Sequence, residues 1–299
     1  VSLASAAQWS RACWAAGEPY TVNAFFTEEA VAAVTAAGLP TRATYIVLRA
    51  APMGSAHPAV VTSAFHSFPA STIDAVLPDA WNALSPQHAV AATHDSVSAA
   101  ARRRHPHMIG DPRVTEIADR LQAALVDLDT SGRPLAAANR AVPPPDEPWA
   151  RLWRGLNTVR EHRGDTHISV LTAEGLEVVE AEVLMSAWAG SFVDTPRLRR
   201  TRSISDEAWA AASERLVARD LLDPADAGVT AAGRTLRHHI EYTTDAGSAA
   251  IWDCIGADNT RMIWDFLRDL SEQLLGSGQM RAVTPVGAPW PPPAPRVPS

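Results

Sequence analysis

Apolar residues recur three and four positions apart through alanine-rich stretches at residues 27–38, 115–128, 148–161 and 206–219. That spacing gathers them on one side of an α-helix and predicts a mainly α protein. Helix starts are marked by polar residues: Thr27 ahead of Glu28 and Glu29, and Ser205 ahead of Asp206 and Glu207. Each offers a side-chain oxygen to the free amides of a first turn and acidic groups to its dipole. Two polar, proline-marked breaks, Arg102 to His107 and Ala141 to Pro148, read as surface connections. They divide the chain into an N-terminal helical half over 1–104 and a C-terminal half over 111–275, with a proline-rich extended tail over 276–299.

The two halves echo one another. Trp9-Ser10-Arg11 leads to Thr35-Ala36-Ala37-Gly38-Leu39, and Trp149-Ala150-Arg151 leads at a similar distance to Thr172-Ala173-Glu174-Gly175-Leu176; each half then reaches a helix centred on a tryptophan, Trp81 or Trp209. A degenerate tandem duplication is the expected origin. It sets Glu18-Pro19-Tyr20-Thr21 opposite Glu161-His162-Arg163-Gly164. Within the second half, residues 177–246 have the order helix, short turn-linked strands, helix. Ser205 to Arg219 is amphipathic, Asp220 to Thr230 passes through an Asp/Pro/Ala turn, and Ala231 opens the next helix. The expected fold class is therefore two tandem, degenerate winged-helix-like helical halves with a small β-hairpin wing.

Composition narrows the chemistry. The chain has 299 residues, is 46% hydrophobic and 20% charged, and carries a net charge of −7, which is globular-protein composition with a mild bias against wholesale nucleic-acid binding. No apolar run is long enough for a membrane helix and no charged start precedes an apolar segment, so the cytoplasm is the expected compartment. All 26 basic residues are arginine, which removes lysine Schiff-base chemistry. Cys13 and Cys254 sit among apolar neighbours and read as inert core thiols. Glycine-rich nucleotide loops and a serine-hydrolase elbow are both missing, so no cofactor is expected.

The densest chemistry lies in Arg160-Glu161-His162-Arg163-Gly164-Asp165-Thr166-His167, directly behind a tryptophan-bearing apolar helix. Three readings stand open. The run is a helix terminus with Gly164 as its left-handed cap. Or it lines a pocket in which His162 or His167 is a general acid or base, Glu161 or Asp165 orients its ring, and Arg163 holds an anionic group. Or, given a kink at Gly164, His162 and His167 bind a metal with Glu18, His57 or His66 as third ligand. In the pocket reading Glu18, Tyr20, Trp14 and Trp153 join Arg163 as substrate-binding residues, on the two helices that the duplication makes equivalent. His105 and His107, beside three arginines, read as a solvated linker.

The signatures Arg49-Ala50-Ala51-Pro52-Met53-Gly54, Ala137-Ala138-Asn139-Arg140, the Arg160 to His167 run and the turn after Leu222 resemble an actinobacterial family of helix-turn-helix-related helical proteins, distantly MarR-like. The resemblance implies a fold and no activity, and Thr21 stands where the family pattern has histidine. The expected function is a small-molecule-pocket protein, as a cofactor-independent acid/base enzyme acting on a hydrophobic metabolite by hydrolysis, cyclisation or isomerisation. The alternative is a ligand-responsive transcriptional regulator, in which Arg197, Arg199, Arg200 and Arg202 grip DNA phosphates and the chain forms a homodimer. Asp206 and Glu207 argue against it, because they occupy the turn that would face base edges.

Overall fold

Helices make up nearly all the regular structure of the computed structural model, which describes residues 3–278, 280–281 and 286–292. In chain order they are α1 (Leu3–Asn23), α2 (Glu28–Ala36), α3 (Thr44–Ala50), α4 (Pro58–Phe65), α5 (Ala70–Asp74), α6 (Ala80–Ala83), α7 (Pro86–Arg104) and α8 (Pro112–Leu125). There follow α9 (Pro134–Ala141), α10 (Pro148–Ala173), α11 (Val178–Ala189), α12 (Thr195–Thr201), α13 (Asp206–Ala218), α14 (Ala231–Gly247), α15 (Ala250–Ile255) and α16 (Ala257–Gly276). A polar cap followed by proline starts three of the longest: Ser85-Pro86, Asp111-Pro112 and Glu147-Pro148. Proline suits that place because its fixed φ is helical and its missing N–H would be unpaired there anyway.

Two hydrophobic clusters hold the chain together. The larger draws on α1 to α9, the first half of α10, and α15 with α16, so residues of both predicted halves share it. The smaller comprises the last turns of α10, then α11, α13 and α14. Helix α10 runs through both, with Trp149, Leu152, Trp153 and Leu156 in the first and Val170 and Leu171 in the second. Its polar middle therefore lies at the junction. Helix α1 runs antiparallel to it, pairing Trp14 with Arg163, Glu18 with Arg160 and the Thr21 carbonyl with Trp153. Helix α14 packs against both, with Asp245 taking Arg11 and Arg163. Two glycines allow the close approaches: a Cβ at Gly155 would stand 3.0 Å from Leu121 Cβ, and one at Gly247 would stand 2.7 Å from Thr166 Cγ2.

Several expectations need correction. Among the described residues there is no strand, and the wing is reduced to one antiparallel bridge between Leu222 and Val229. The ladder cannot grow, because Pro224 has no N–H to give and Asp220 and Ala227 take left-handed conformations, φ 55° and 56°, that turn the chain away. The two tryptophan-centred helices that the tandem echo pairs differ, the Trp81 helix being 4 residues long and the Trp209 helix 13. His105 is no solvated linker: it is buried, stacked on Trp149 at 5.7 Å and bonded to Gln273. Cys13 is buried but Cys254 is exposed. Of the expected extended tail, residues 279, 282–285 and 293–299 lie outside the described residues; Ala288, which is described, is buried.

Candidate functional site

Helix α10 passes unbroken through the Arg160 to His167 run and ends at Ala173. The helix-terminus reading is thereby corrected: Gly164 is an interior helical residue, and the left-handed turn falls at Gly175, φ 64°. In a continuous helix, residues 160, 163, 164, 167, 168 and 171 form one stripe. These six line a cavity of about 190 Å³. Its other walls come from Trp14 and Glu18 of α1, Tyr45 and Arg49 of α3, Phe65 to Ser67 at the end of α4, Ala181, Glu182 and Met185 of α11, Arg202 after α12, and α14. His66 sits there with φ 50°, a conformation rarely taken by a residue with a bulky side chain.

Five arginines face this space, Arg49, Arg160, Arg163, Arg202 and Arg237, against three glutamates, Glu18, Glu182 and Glu241. Four of the arginines are committed to carboxylates. Arg49 grips Glu161 with two bonds of 3.0 and 2.8 Å, and Arg160 bridges Glu18 and Glu161 at 2.8 to 2.9 Å. Arg163 takes Asp245 at 2.8 Å. Burial pushes the Glu161 carboxyl up, but the two guanidiniums pull harder and hold it below the usual carboxylate range. Arg237 shares Glu241 with Arg11, and Arg202 approaches Glu182 only to 3.6 Å.

His167 is the one histidine of the run that faces the cavity. Thr244 Oγ1 gives its proton to the Ile240 carbonyl at 2.7 Å, so its 3.0 Å bond to His167 Nδ1 must run from the ring to the hydroxyl. The tautomer therefore leaves Nε2 as an acceptor. Burial pushes the ring's pKa down to about 3, which keeps it neutral.

The residues expected at a site from sequence separate into two groups. Trp14, Glu18, Arg163 and His167 meet at the cavity. Glu161 lies behind it as the fully buried counter-ion of Arg49 and Arg160. His162 faces away and bonds the Asp129 carbonyl at 3.1 Å, its pKa pushed down to about 4 chiefly by burial. Asp165 also faces away, accepting the Ala136 amide at the start of α9, and burial lifts it to about 7. Tyr20 lies against Trp149, and Trp153 is held in the core by Phe25 and the Thr21 carbonyl. The straight helix turns His162 and His167 apart, and among the described residues no group of three His, Cys, Asp or Glu side chains is placed to hold a metal ion.

The sequence pattern of a family described as a helix-turn-helix family matches residues 10–281. The chain belongs to that helix-turn-helix family. No curated protein and no solved structure matches it. Among the described residues no single helix is long and apolar enough to cross a membrane. In this helix-turn-helix protein the surface of α13 is acidic: Asp206, Glu207 and Glu214 are exposed, while Arg215 is tied to Glu177 and Glu180. Of the four arginines read as phosphate grips, Arg199 is paired with Asp206 and Arg202 is turned inward, 8% exposed.

Sequence reasoning did not place Arg49, Glu182, Arg237 and Glu241 at a site; it named His66 only as a third metal ligand and Arg202 only as a DNA-phosphate contact, and both line the cavity. A signal existed for Arg237 and Glu241. Arg237 shares a buried stripe of α14 with Ile240 and Thr244, and Glu241 is one turn beyond Arg237, so charge sits at or beside a core-facing position, where it needs a partner or a purpose.

Proposed function

We propose that this helix-turn-helix protein binds a small molecule in the arginine-lined cavity, as a member of the fold in which the interior rather than the surface does the recognising. The observation that carries the reading is the cavity itself: about 190 Å³ at the junction of two hydrophobic clusters, lined by Phe65, Ile168, Leu171 and Met185 together with ionic groups. Such a mixture of apolar wall and convergent polar groups is the common make-up of a ligand site. The ligand it suits has an apolar body and an anionic group, and His167 Nε2 accepts a hydrogen bond from its hydroxyl or amide.

An acid/base enzyme is the more specific form of the same reading, and it comes down to His167. A ring with a pKa of about 3 is a weak base in the empty protein, so recognition is better supported than proton abstraction. A MarR-like, winged-helix regulator that reads DNA through α13 is the rival; the acidic α13 surface and the inward turn of Arg202 weigh against it.

Native mass spectrometry of protein purified under mild conditions tests the reading. A retained small molecule, lost on heating and regained on incubation with the cell's small-molecule extract, supports it. A protein that takes up nothing but binds duplex DNA with a steep salt dependence, abolished by Arg200→Ala, replaces it with the regulator.

A further inference from the structure

Resting on that reading, the structure carries a statement about which ligands fit. Four of the five cavity arginines have a carboxylate at hydrogen-bond distance, Arg237 through the Glu241 that it shares with Arg11. Arg202 has none, and Arg237 is satisfied only in part. Arg202 makes no side-chain hydrogen bond among the described residues, and its Nε is buried and without a partner, as is Nε of Arg237. Each guanidinium carbon lies over an aromatic ring, Arg202 over Phe68 at 4.1 Å and Arg237 over Trp188 at 4.9 Å from the ring centre. The rings supply no hydrogen-bond acceptor in the plane of the guanidinium, so the unpartnered Nε groups keep N–H bonds that a carboxylate can accept.

Glu182, buried in the same wall, feels both guanidiniums, yet among the described residues it accepts no hydrogen bond and stands 3.6 Å from Arg202. Burial raises its pKa against the pull of the two arginines. An incoming anion therefore meets Arg202, which lacks a hydrogen-bonded carboxylate, and the unpartnered Nε of Arg237, beside a carboxyl whose pKa burial raises. The volume sets the rest of the ligand. A dry cavity of about 150 Å³ holds one benzene, so about 190 Å³ holds a six-membered ring with one carboxylate and little more.

We propose that Arg202 and Arg237 form a carboxylate seat, and that the cavity takes a cyclic monocarboxylic acid of about benzoate size, its ring against apolar lining residues such as Ile168 and Leu171. Glu182 is the internal competitor for that seat.

The test is calorimetric titration of the whole chain with benzoate and cyclohexanecarboxylate, beside their uncharged counterparts benzamide and toluene, and inorganic phosphate. The acids are expected to bind and the uncharged molecules to bind at least about tenfold more weakly. Arg202→Gln is expected to weaken the acids by a similar factor without changing toluene. Glu182→Gln, which keeps shape and removes the competing charge, is expected to tighten the acids severalfold; it carries the test if Arg202→Gln does not fold. Benzamide binding as well as benzoate, an unchanged affinity in both variants, or phosphate displacing the acids would overturn the carboxylate seat while leaving the cavity reading intact. If no probe enters, toluene included, the cavity reading itself fails.

Discussion

Removing the Glu161 charge probes the polar layer of α10 most directly. Glu161 is fully buried and receives both Arg49, through two bonds, and Arg160. Glu161→Gln keeps the volume but leaves two buried guanidiniums sharing one amide oxygen, with an NH₂ turned toward a cation. Taking one partner from a buried ion pair costs about 3–5 kcal/mol, and in a chain of this size that lowers Tm by on the order of 10 °C. Urea unfolding followed by circular dichroism measures it. Glu116→Gln is the control: its pair with Arg120 is exposed, 45% and 40%, and the expected change is within about 0.5 kcal/mol. Replacing both partners, Arg49→Met with Glu161→Met, is expected to recover part of the loss, since Arg160 keeps Glu18. A Glu161→Gln protein within about 1 kcal/mol of the parent would refute the reasoning, because the buried network would then be solvated in a way the geometry does not show.

Three further outcomes follow from the same geometry. Asp165 titrates at about 7 in the folded chain and at about 4 when unfolded, so across that window the folded state holds the extra proton and its stability falls as pH rises. The stability of Asp165→Asn relative to the parent should grow from pH 4 to pH 7 by about 4 kcal/mol in all, and a difference flat with pH would show that burial does not hold the proton on. Gly164→Ala adds a Cβ whose nearest atom is 3.8 Å away, so thermal unfolding should show a gain of up to about 1 kcal/mol from helix propensity, while the narrowed cavity binds ligand more weakly; a destabilised variant would mean that α10 is not a regular helix there. One thiol per chain, Cys254, should react with a water-soluble disulfide reagent in the native protein, with Cys13, whose pKa burial raises well above the ordinary value, reacting only on unfolding.

The helices were legible because their signals are local. Thr27 and Ser205 cap as expected, each accepting from the amide three residues on, and the three- and four-residue spacing marks the buried sides correctly. The wing was misread because its pattern is also local, while pairing depends on whether two backbones can stay in register past Pro224 and Ala227. The Arg160 to His167 run was found but misread as a terminus, since glycine beside aspartate is a common way to stop a helix. What kept the helix going is tertiary. Arg49, Glu18, Ala136 and Thr244 each supply a partner to that segment, from 29 to 142 residues away in sequence, and no short window on the chain contains them together.

The same contrast supports the proposal that the cavity is a ligand site. A buried ion pair is a weak contributor to stability, because desolvation of two charges offsets most of their attraction, and apolar side chains of similar volume often serve as well or better. Stability can account for Arg49 and Arg160, which at least have their carboxylates at 2.8 to 3.0 Å. It does not account for Arg202, which pays for desolvation with a single 3.6 Å approach to Glu182 and a stack on Phe68. Leucine or methionine would fill that place more comfortably in a fold with two hydrophobic clusters so near. A cation retained there without a full partner is what a site for an anion needs, and the cavity in front of it supplies the room.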